Sequence, residues 1–297
     1  MEHYPVMPEQ SAAYLRLTDG GVYLDTTAGL GGHTGLLARR LKAGRVISLD
    51  RDAESLEKAK ANTLDCAERI TFRHSRFSQL SETLRELGVD KVDGILTDLG
   101  VSKYQLTSAG RGFSFQQPGP LDMRMDRGQE LTASDLVNRA SEKDLADWIF
   151  RLGEERRHAR RIARATVRAR PIGDSMAYAS LIASVAPRTG KLHPATRVFQ
   201  ALRMVVNDEE GELDALLEQA PEWIKPGGRW VVIAFQSLDD RRVKHAFQEL
   251  ARAGRAAILT KHVVRPEAEE IRLNPPSRSA VLRALEMLGA DEARAKD

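Results

Sequence analysis

With a single cysteine, Cys66, in 297 residues, the chain closes no internal disulfide and assembles no Cys-x-x-Cys zinc site. That scarcity points to a reducing compartment and sets aside the small disulfide-stapled folds. No purely apolar run exceeds the six residues 230–235, against the roughly 20 that a membrane span needs. The opening Met-Glu-His-Tyr-Pro has neither the basic start nor the apolar stretch of a secretory signal. These absences lead to the expectation of a cytoplasmic protein with no membrane partner. What is present fits it: 42% hydrophobic and 29% charged residues, in a chain long enough to bury a core without staples.

Net charge is small, +3, but unevenly placed. Between 156 and 170 stand seven arginines and no acid. Such a local excess is the footprint of a polyanion contact, the alternative being a solvated helix face.

Apolar periodicity divides the chain. Strand-like stretches at 22–25, 46–49, 70–72 and 93–97 alternate with amphipathic helical stretches at 33–42, 52–62 and 77–87. Repeated βα units of this length predict a mostly parallel sheet with helices on its faces, an α/β fold. After Asp98 the alternation stops. A Gly- and Pro-rich loop at 110–120 leads into helical periodicity at 133–138, 142–152, 154–168 and 175–185, punctuated by Pro171, Gly173, Pro187 and Gly190. Strand character returns at 230–235, followed by a helix at 239–253 and strands near 257–264 and 279–285. The economical division is an α/β domain at 1–105 and 193–297, interrupted by a helical, substrate-binding insertion at 106–192.

Open α/β sheets bind ligands beyond the carboxyl ends of their strands. Here the first strand runs into Asp25-Thr-Thr-Ala-Gly29-Leu-Gly31-Gly32-His33, small residues that let a ligand approach the backbone and the next helix start. The second strand ends at Asp50, well placed for a ribose. A dinucleotide fingerprint counted from Gly29 requires a third glycine where Thr34 stands. S-adenosylmethionine, with no pyrophosphate to cradle, tolerates this looser loop. A tight turn with no ligand is the remaining reading.

The fourth strand ends at Asp98-Leu-Gly-Val-Ser102. Methylating a planar exocyclic amine is aided by an acceptor that bonds its N–H groups and takes up a proton. Asp98 suits that task or the binding of a cofactor, and the two are not exclusive. The prolines and aromatic residue found here in many amino-methylating enzymes are missing. C5 methylation of a pyrimidine needs a thiol nucleophile, and Cys66 follows the second helix, away from this crevice. Zinc-dependent deamination lacks its ligand set.

These motifs, with Arg111-Gly-Phe-Ser-Phe115, Gly119-Pro-Leu-Asp-Met-Arg-Met-Asp126, Gly153-Glu-Glu-Arg156, His193-Pro-Ala-Thr-Arg-Val-Phe-Gln-Ala-Leu-Arg203, Asn207 and Pro226-Gly-Gly-Arg229, resemble nearly end to end the ribosomal RNA small subunit methyltransferase H family. Members are bacterial cytosine-N4 methyltransferases of 16S rRNA. The resemblance implies a class I S-adenosylmethionine-dependent methyltransferase fold, Rossmann-like with an antiparallel last strand and an inserted all-helical domain. It implies cofactor contacts at Gly31, Gly32, His33, Asp50, Phe77, Asp98 and Gln105, with Asp98 also the catalytic candidate and no metal. The implied substrate is a decoding-centre cytidine in 16S rRNA, presented on the small ribosomal subunit. A homodimer is left open.

The chain departs from the family at Gln236, where the pattern Phe-His-Ser-Leu has histidine, and at Lys103-Tyr104 and Pro276. Glutamine can position a base but cannot accept a proton. That substitution motivates a second reading, an rRNA-binding assembly factor with weak or lost catalysis. DNA cytosine-N4 methylation is a third. Arg111, Arg124, Arg197, Arg203 and Arg241 are candidates for RNA phosphate contact, with internal salt bridges as the alternative. Phe113 is a candidate for stacking on an extruded base, or else for anchoring its loop.

Overall fold

The structure, a computed structural model, describes residues 5–188 and 192–289. Gly190 and the first four residues, on which part of the sequence reading rests, lie outside them. Two compact units emerge, one of residues 1–100 and 211–297, the other of residues 101–210.

In the first unit α1 (Pro8–Leu15) precedes β1 (Val22–Asp25), α2 (Gly32–Arg40), β2 (Arg45–Asp50), α3 (Ala53–Asn62), β3 (Ile70–His74), α4 (Leu80–Glu86) and β4 (Val92–Asp98). The second unit holds α5 (Lys103–Thr107), α6 (Ala133–Arg139), α7 (Glu142–Arg151), α8 (Ala159–Arg168), α9 (Ser175–Val185) and α10 (Ala195–Val206). The chain then continues through α11 (Glu209–Gln219), β5 (Ile224–Ala234), α12 (Ser237–Arg252), β6 (Ala256–Ile258), α13 (Ala268–Leu273) and β7 (Val281–Met287).

The seven strands form one sheet in the order β3-β2-β1-β4-β5-β7-β6. β1 pairs in parallel with β2 and β4, β4 with β5, and β2 with β3, whereas β7 runs antiparallel to β5 and β6. This is the class I methyltransferase sheet, antiparallel seventh strand included.

Its central strands are apolar on both faces because helices cover both. Consecutive residues point to opposite sides. Thus Leu24, Ile47, Ile95 and Trp230 join one buried cluster, while their neighbours Tyr23, Val46, Leu96 and Val231 join the cluster on the other face. Each such fully buried side chain contributes about 1.5–3 kcal/mol, so the ends of these strands are rigid mounts. The order reverses at β1 and β4, where the carboxyl ends of β1 and β4 diverge toward different next elements.

The second unit has its own core, built around Ile149, Ile162, Tyr178, Val198, Phe199 and Leu202. This unit extends beyond the 106–192 read from the sequence. α10 packs against α6, α7 and α9, because its apolar face of Val198, Phe199, Leu202 and Val206 belongs to that core. The helix expected at 154–168 begins only at Ala159. The strand expected at 257–264 is confined to Ala256–Ile258, with a single bridge at Val264.

The conspicuous Pro-Leu-Asp-Met-Arg-Met-Asp block is a loop that satisfies its own polar groups within the second unit. Arg124 donates to both oxygens of Asp122, at 2.8 and 2.9 Å. Asn207 accepts from the Met125 N–H and donates to the Met123 carbonyl, each at 2.7 Å. The odd composition is that of a scaffold whose bonds are made locally.

Candidate functional site

Three carboxylates stand at the ends of adjacent strands of the first unit: Asp25 on β1, Asp50 on β2 and Asp98 on β4. They stay rigid because the backbone around them is tied across strands. The Asp50 carboxylate accepts the Gly29 N–H at 2.7 Å and the Asp52 N–H at 2.9 Å, which joins the glycine loop to β2. Burial pushes its carboxyl up to about 6, the charges of Asp52 and Asp25 acting the same way against those two bonds.

The loop turns into α2 at Gly31, whose φ of +84° lies in the left-handed region. A Cβ there would stand 3.1 Å from the Ala59 carbonyl oxygen and 3.1 Å from the Thr63 methyl. Glycine is therefore demanded by both torsion and space. α2 starts immediately after, at Gly32, so its first backbone N–H groups have no partner within the helix, and Gly31 before them offers no side-chain cap.

Asp25 is fully buried and serves as the knot of this region. It accepts the Thr27 N–H at 3.0 Å and the Thr27 hydroxyl at 3.3 Å on one oxygen, and the Thr34 hydroxyl at 2.6 Å on the other. Burial raises its carboxyl, opposed by these bonds. The Thr27 hydroxyl in turn accepts the Asp98 N–H at 2.7 Å. Asp25 and Thr27 were not singled out from the sequence. The signal available was an acid closing the first strand and a hydroxyl two residues later.

Asp98 itself has one oxygen, Oδ2, 3.6 Å from Nε2 of the buried His33. Its Oδ1 is buried and accepts no hydrogen bond among the described residues. Although 24% of the side-chain surface meets solvent, burial of the carboxyl pushes it up to about 8, with the Asp25 charge adding to the shift. The His33 imidazole thus lies beside Asp98. A buried acceptor without a donor costs free energy unless a ligand supplies one, and a cationic or N–H-bearing ligand at Asp98 does so. The donor set fits S-adenosylmethionine: carboxylates at two strand ends, a close-approach glycine turn and a helix start. Phe77 begins the short turn after β3 and packs half-buried against the sheet core.

The other expected residues divide. Gln105 lies in the second unit, where its side-chain oxygen accepts the Ser102 N–H at 2.9 Å and caps α5. Arg111, expected at an RNA phosphate, is instead buried, donating to the carbonyls of Arg124 and Met125 at 2.9 and 3.0 Å. Phe113, expected to stack on a base, is buried in the helical core beneath its loop, with the Arg111 guanidinium 5.9 Å from its ring. Arg124 is spent on Asp122, and Arg203 on Glu209 at 2.6 Å. Arg197 is half-exposed and meets Glu155 at 3.3 Å. Arg241, on α12, is exposed, with no carboxylate partner among the described residues. Gln236 sits at the start of α12, just past the end of β5, the strand beside Asp98. Cys66 is buried in the sheet core, and burial raises its thiol, so it offers no nucleophile. Among the described residues no group of three or more His, Cys, Asp or Glu side chains could hold a metal ion, and no helix is long and apolar enough to cross a membrane.

A sheet of this order, with acids closing β1, β2 and β4 and a glycine turn opening α2, defines an S-adenosylmethionine-dependent methyltransferase of class I. Within that class the chain belongs to the MraW methylase family, whose model matches residues 1–288. Ribosomal RNA small subunit methyltransferase H of Solibacter usitatus is 57% identical over 285 residues, covering 96% of this chain and 99% of that protein. The protein of the same name from Cyanothece sp. is 46% identical over 291 residues, covering 98% and 96%. That of Koribacter versatilis is 46% identical over 295 residues, covering 95% and 93%.

Proposed function

We propose that this protein methylates the exocyclic N4 of a decoding-centre cytidine in 16S rRNA on the small ribosomal subunit. The observation that carries the reaction type is the buried, donor-less Oδ1 of Asp98 at the end of β4. The substrate rests on full-length identity to relatives named for ribosomal RNA of the small subunit.

In this reading Asp50 accepts hydrogen bonds from ribose hydroxyls, using lone pairs that the Gly29 and Asp52 N–H groups leave available. The Gly31 N–H is spent on the Ala28 carbonyl at 2.7 Å, so Gly31 shapes the turn, while the backbone N–H groups of Gly32 and His33 at the start of α2 would hold the cofactor's polar atoms and Phe77 would lend an apolar wall. When bound, S-adenosylmethionine supplies a methyl group activated by its cationic sulfur. Methylation of the cytidine amine would leave its nitrogen with one proton to lose, and a residue of this chain has to receive it. Asp98 accepts the amine N–H and takes that proton. Only the ionised carboxylate can do so; burial keeps the carboxyl protonated up to about 8 in the ligand-free protein, and a cationic group bound beside it would favour the ionised, proton-accepting form. The protein's main task is alignment, which the rigid strand ends provide. Gln236, unable to accept a proton, orients the base by hydrogen bonding.

The test is nucleoside mass spectrometry of small subunits incubated with the protein and S-adenosylmethionine. N4-methylcytidine in wild-type digests, and its loss with Asp98→Ala in folded protein, is the expected result. Full methylation by Asp98→Ala would remove Asp98 from the reaction. Subunit binding without any incorporation by wild type would favour the assembly-factor reading.

A further inference from the structure

We propose that the outer face of α8, together with the two arginines that precede it, is a docking track for the phosphate backbone of the RNA substrate. The inference rests on the rRNA reading above and adds to it a surface on the helical unit that does no chemistry.

Arg160, Arg161, Arg164 and Arg168 fall within an arc of about 100° on a helix of 3.6 residues per turn, and Arg160 to Arg168 spans about 12 Å along its axis. The opposite face, Ala159, Ile162, Ala163 and Thr166, is buried in the helical core. The helix therefore cannot roll, and the arginines are held outward in a fixed row. Arg156 and Arg157, also exposed, extend it at the N-terminal end. The segment contains no acid, so no carboxylate on the helix itself pairs with them. Arg164 meets Glu142 of α7 at 3.3 Å, in a well-exposed pair of little strength. The guanidinium groups of Arg156, Arg157, Arg160, Arg161 and Arg168 have no carboxylate partner among the described residues, although the Arg157 backbone N–H donates to Glu155 at 3.1 Å. Some exposed arginines elsewhere are neutralised at short range, as Arg39 by Asp65 and Arg272 by Glu269, both at 2.6 Å, while others such as Arg241 stand singly, not in a row. The seventh arginine of the run does not belong to the track. Arg170 turns inward and donates to the carbonyls of Val137 and Ala140, at 2.7 and 2.6 Å.

A row of like charges without counter-charges repels itself, and a solvated face gains nothing from it. Guanidinium groups in a fixed row match phosphate oxygens, which accept bidentate bonds. Because no base edge is read by such a row, it supplies affinity and orientation, not sequence choice.

The test compares the double variant Arg160→Gln with Arg161→Gln, the matching Arg→Lys double, and a control double, Arg45→Gln with Arg73→Gln, on the first unit. Binding to naked 16S rRNA and to intact small subunits is measured across a salt series, with S-adenosylmethionine binding and melting temperature as checks on folding. Each phosphate contact contributes about 0.7–0.9 to the slope of log affinity against log salt, so losing two lowers the slope by about 1.4–1.8. That fall is expected for the Gln pair on both RNAs, with little change for the Lys pair and the control. An unchanged slope in folded protein, or an equal fall in the control, would overturn the proposal. A fall on subunits alone would also overturn it, since it would point to an acidic ribosomal protein as the partner. Methyl incorporation at saturating RNA is scored separately. Incorporation with an unchanged slope removes the track and leaves the enzyme, whereas a lowered slope with no incorporation by wild type leaves the track and removes the enzyme.

Discussion

The Asp98 backbone N–H donates to the hydroxyl of Thr27 at 2.7 Å, and that hydroxyl donates to the Asp25 carboxylate at 3.3 Å. Residues 71 positions apart in the chain are thereby fixed across the ends of β1 and β4. The residue proposed to receive the substrate proton is held in place, through its backbone, by a hydroxyl and a second, buried carboxylate.

Thr27→Val removes this link while keeping the side-chain volume. Leaving the Asp98 N–H without its acceptor is expected to destabilise the protein by about 1–3 kcal/mol. Methyl transfer should fall at least about tenfold, a loss of alignment worth about 1.4 kcal/mol. Thr27→Ser keeps the hydroxyl and should restore both. Thermal melts and single-turnover methylation of all three proteins check this. Equal behaviour of Val and Ser would show that the hydroxyl bond holds nothing.

Asp98 also sets a pH dependence of stability in the cofactor-free protein. Its carboxyl is raised from 3.8 to about 8, so between these values the folded chain holds a proton that the unfolded chain has released. The folded state binds more protons there, and stability from this group falls as pH rises, levelling off above about 8. Asp50, raised to about 6, adds to the fall in the lower part of the window. Asp98→Asn removes the larger contribution. Its melting temperature should exceed that of wild type increasingly from pH 5 to pH 8, and melts across this range measure the gap. A constant gap would contradict the burial argument.

Gly31→Ala forces a side chain into a left-handed torsion and into contact with the Ala59 carbonyl. The torsion alone costs about 1–2 kcal/mol. Because the turn also opens α2 toward the strand ends, affinity for S-adenosyl-homocysteine measured by calorimetry should weaken by about tenfold, or 1.4 kcal/mol. Wild-type affinity in this variant would separate the loop from cofactor binding.

Arg111→Met probes a residue that the structure buries against two backbone carbonyls. Loss of its charged bonds to two carbonyls is expected to destabilise the second unit by about 1.5–3 kcal/mol. The salt dependence of RNA binding should be unaltered. Chemical denaturation and a salt series together distinguish this from phosphate contact, which would move the slope and leave stability intact.

The strands were legible because a sheet covered on both faces needs continuous apolar stretches, as at 46–49 and 230–235. Gly31, Asp50 and Asp98 were legible because strand ends and tight turns impose residue types locally. The arginines were not. Arg111 and Arg241 read alike in a sequence, yet one is buried against carbonyls and the other is exposed. Carbonyl acceptors are present at every residue, so no pattern of side chains announces them. The domain border was misplaced for a similar reason, since the side chains of α10 are equally suited to a helical core or a sheet face.

By itself the amino-acid order determined the alternation of elements, the glycine turn, the acids that close three strands and the basic run of α8. These depend on local torsion, period and charge. Only the tertiary structure decided that Asp25 and Thr27 hold Asp98, that Arg111 and Arg170 face inward, and that α10 belongs with the helices. Each of those outcomes depends on which distant groups meet in space, and parallel strands bring together residues that chain proximity never pairs.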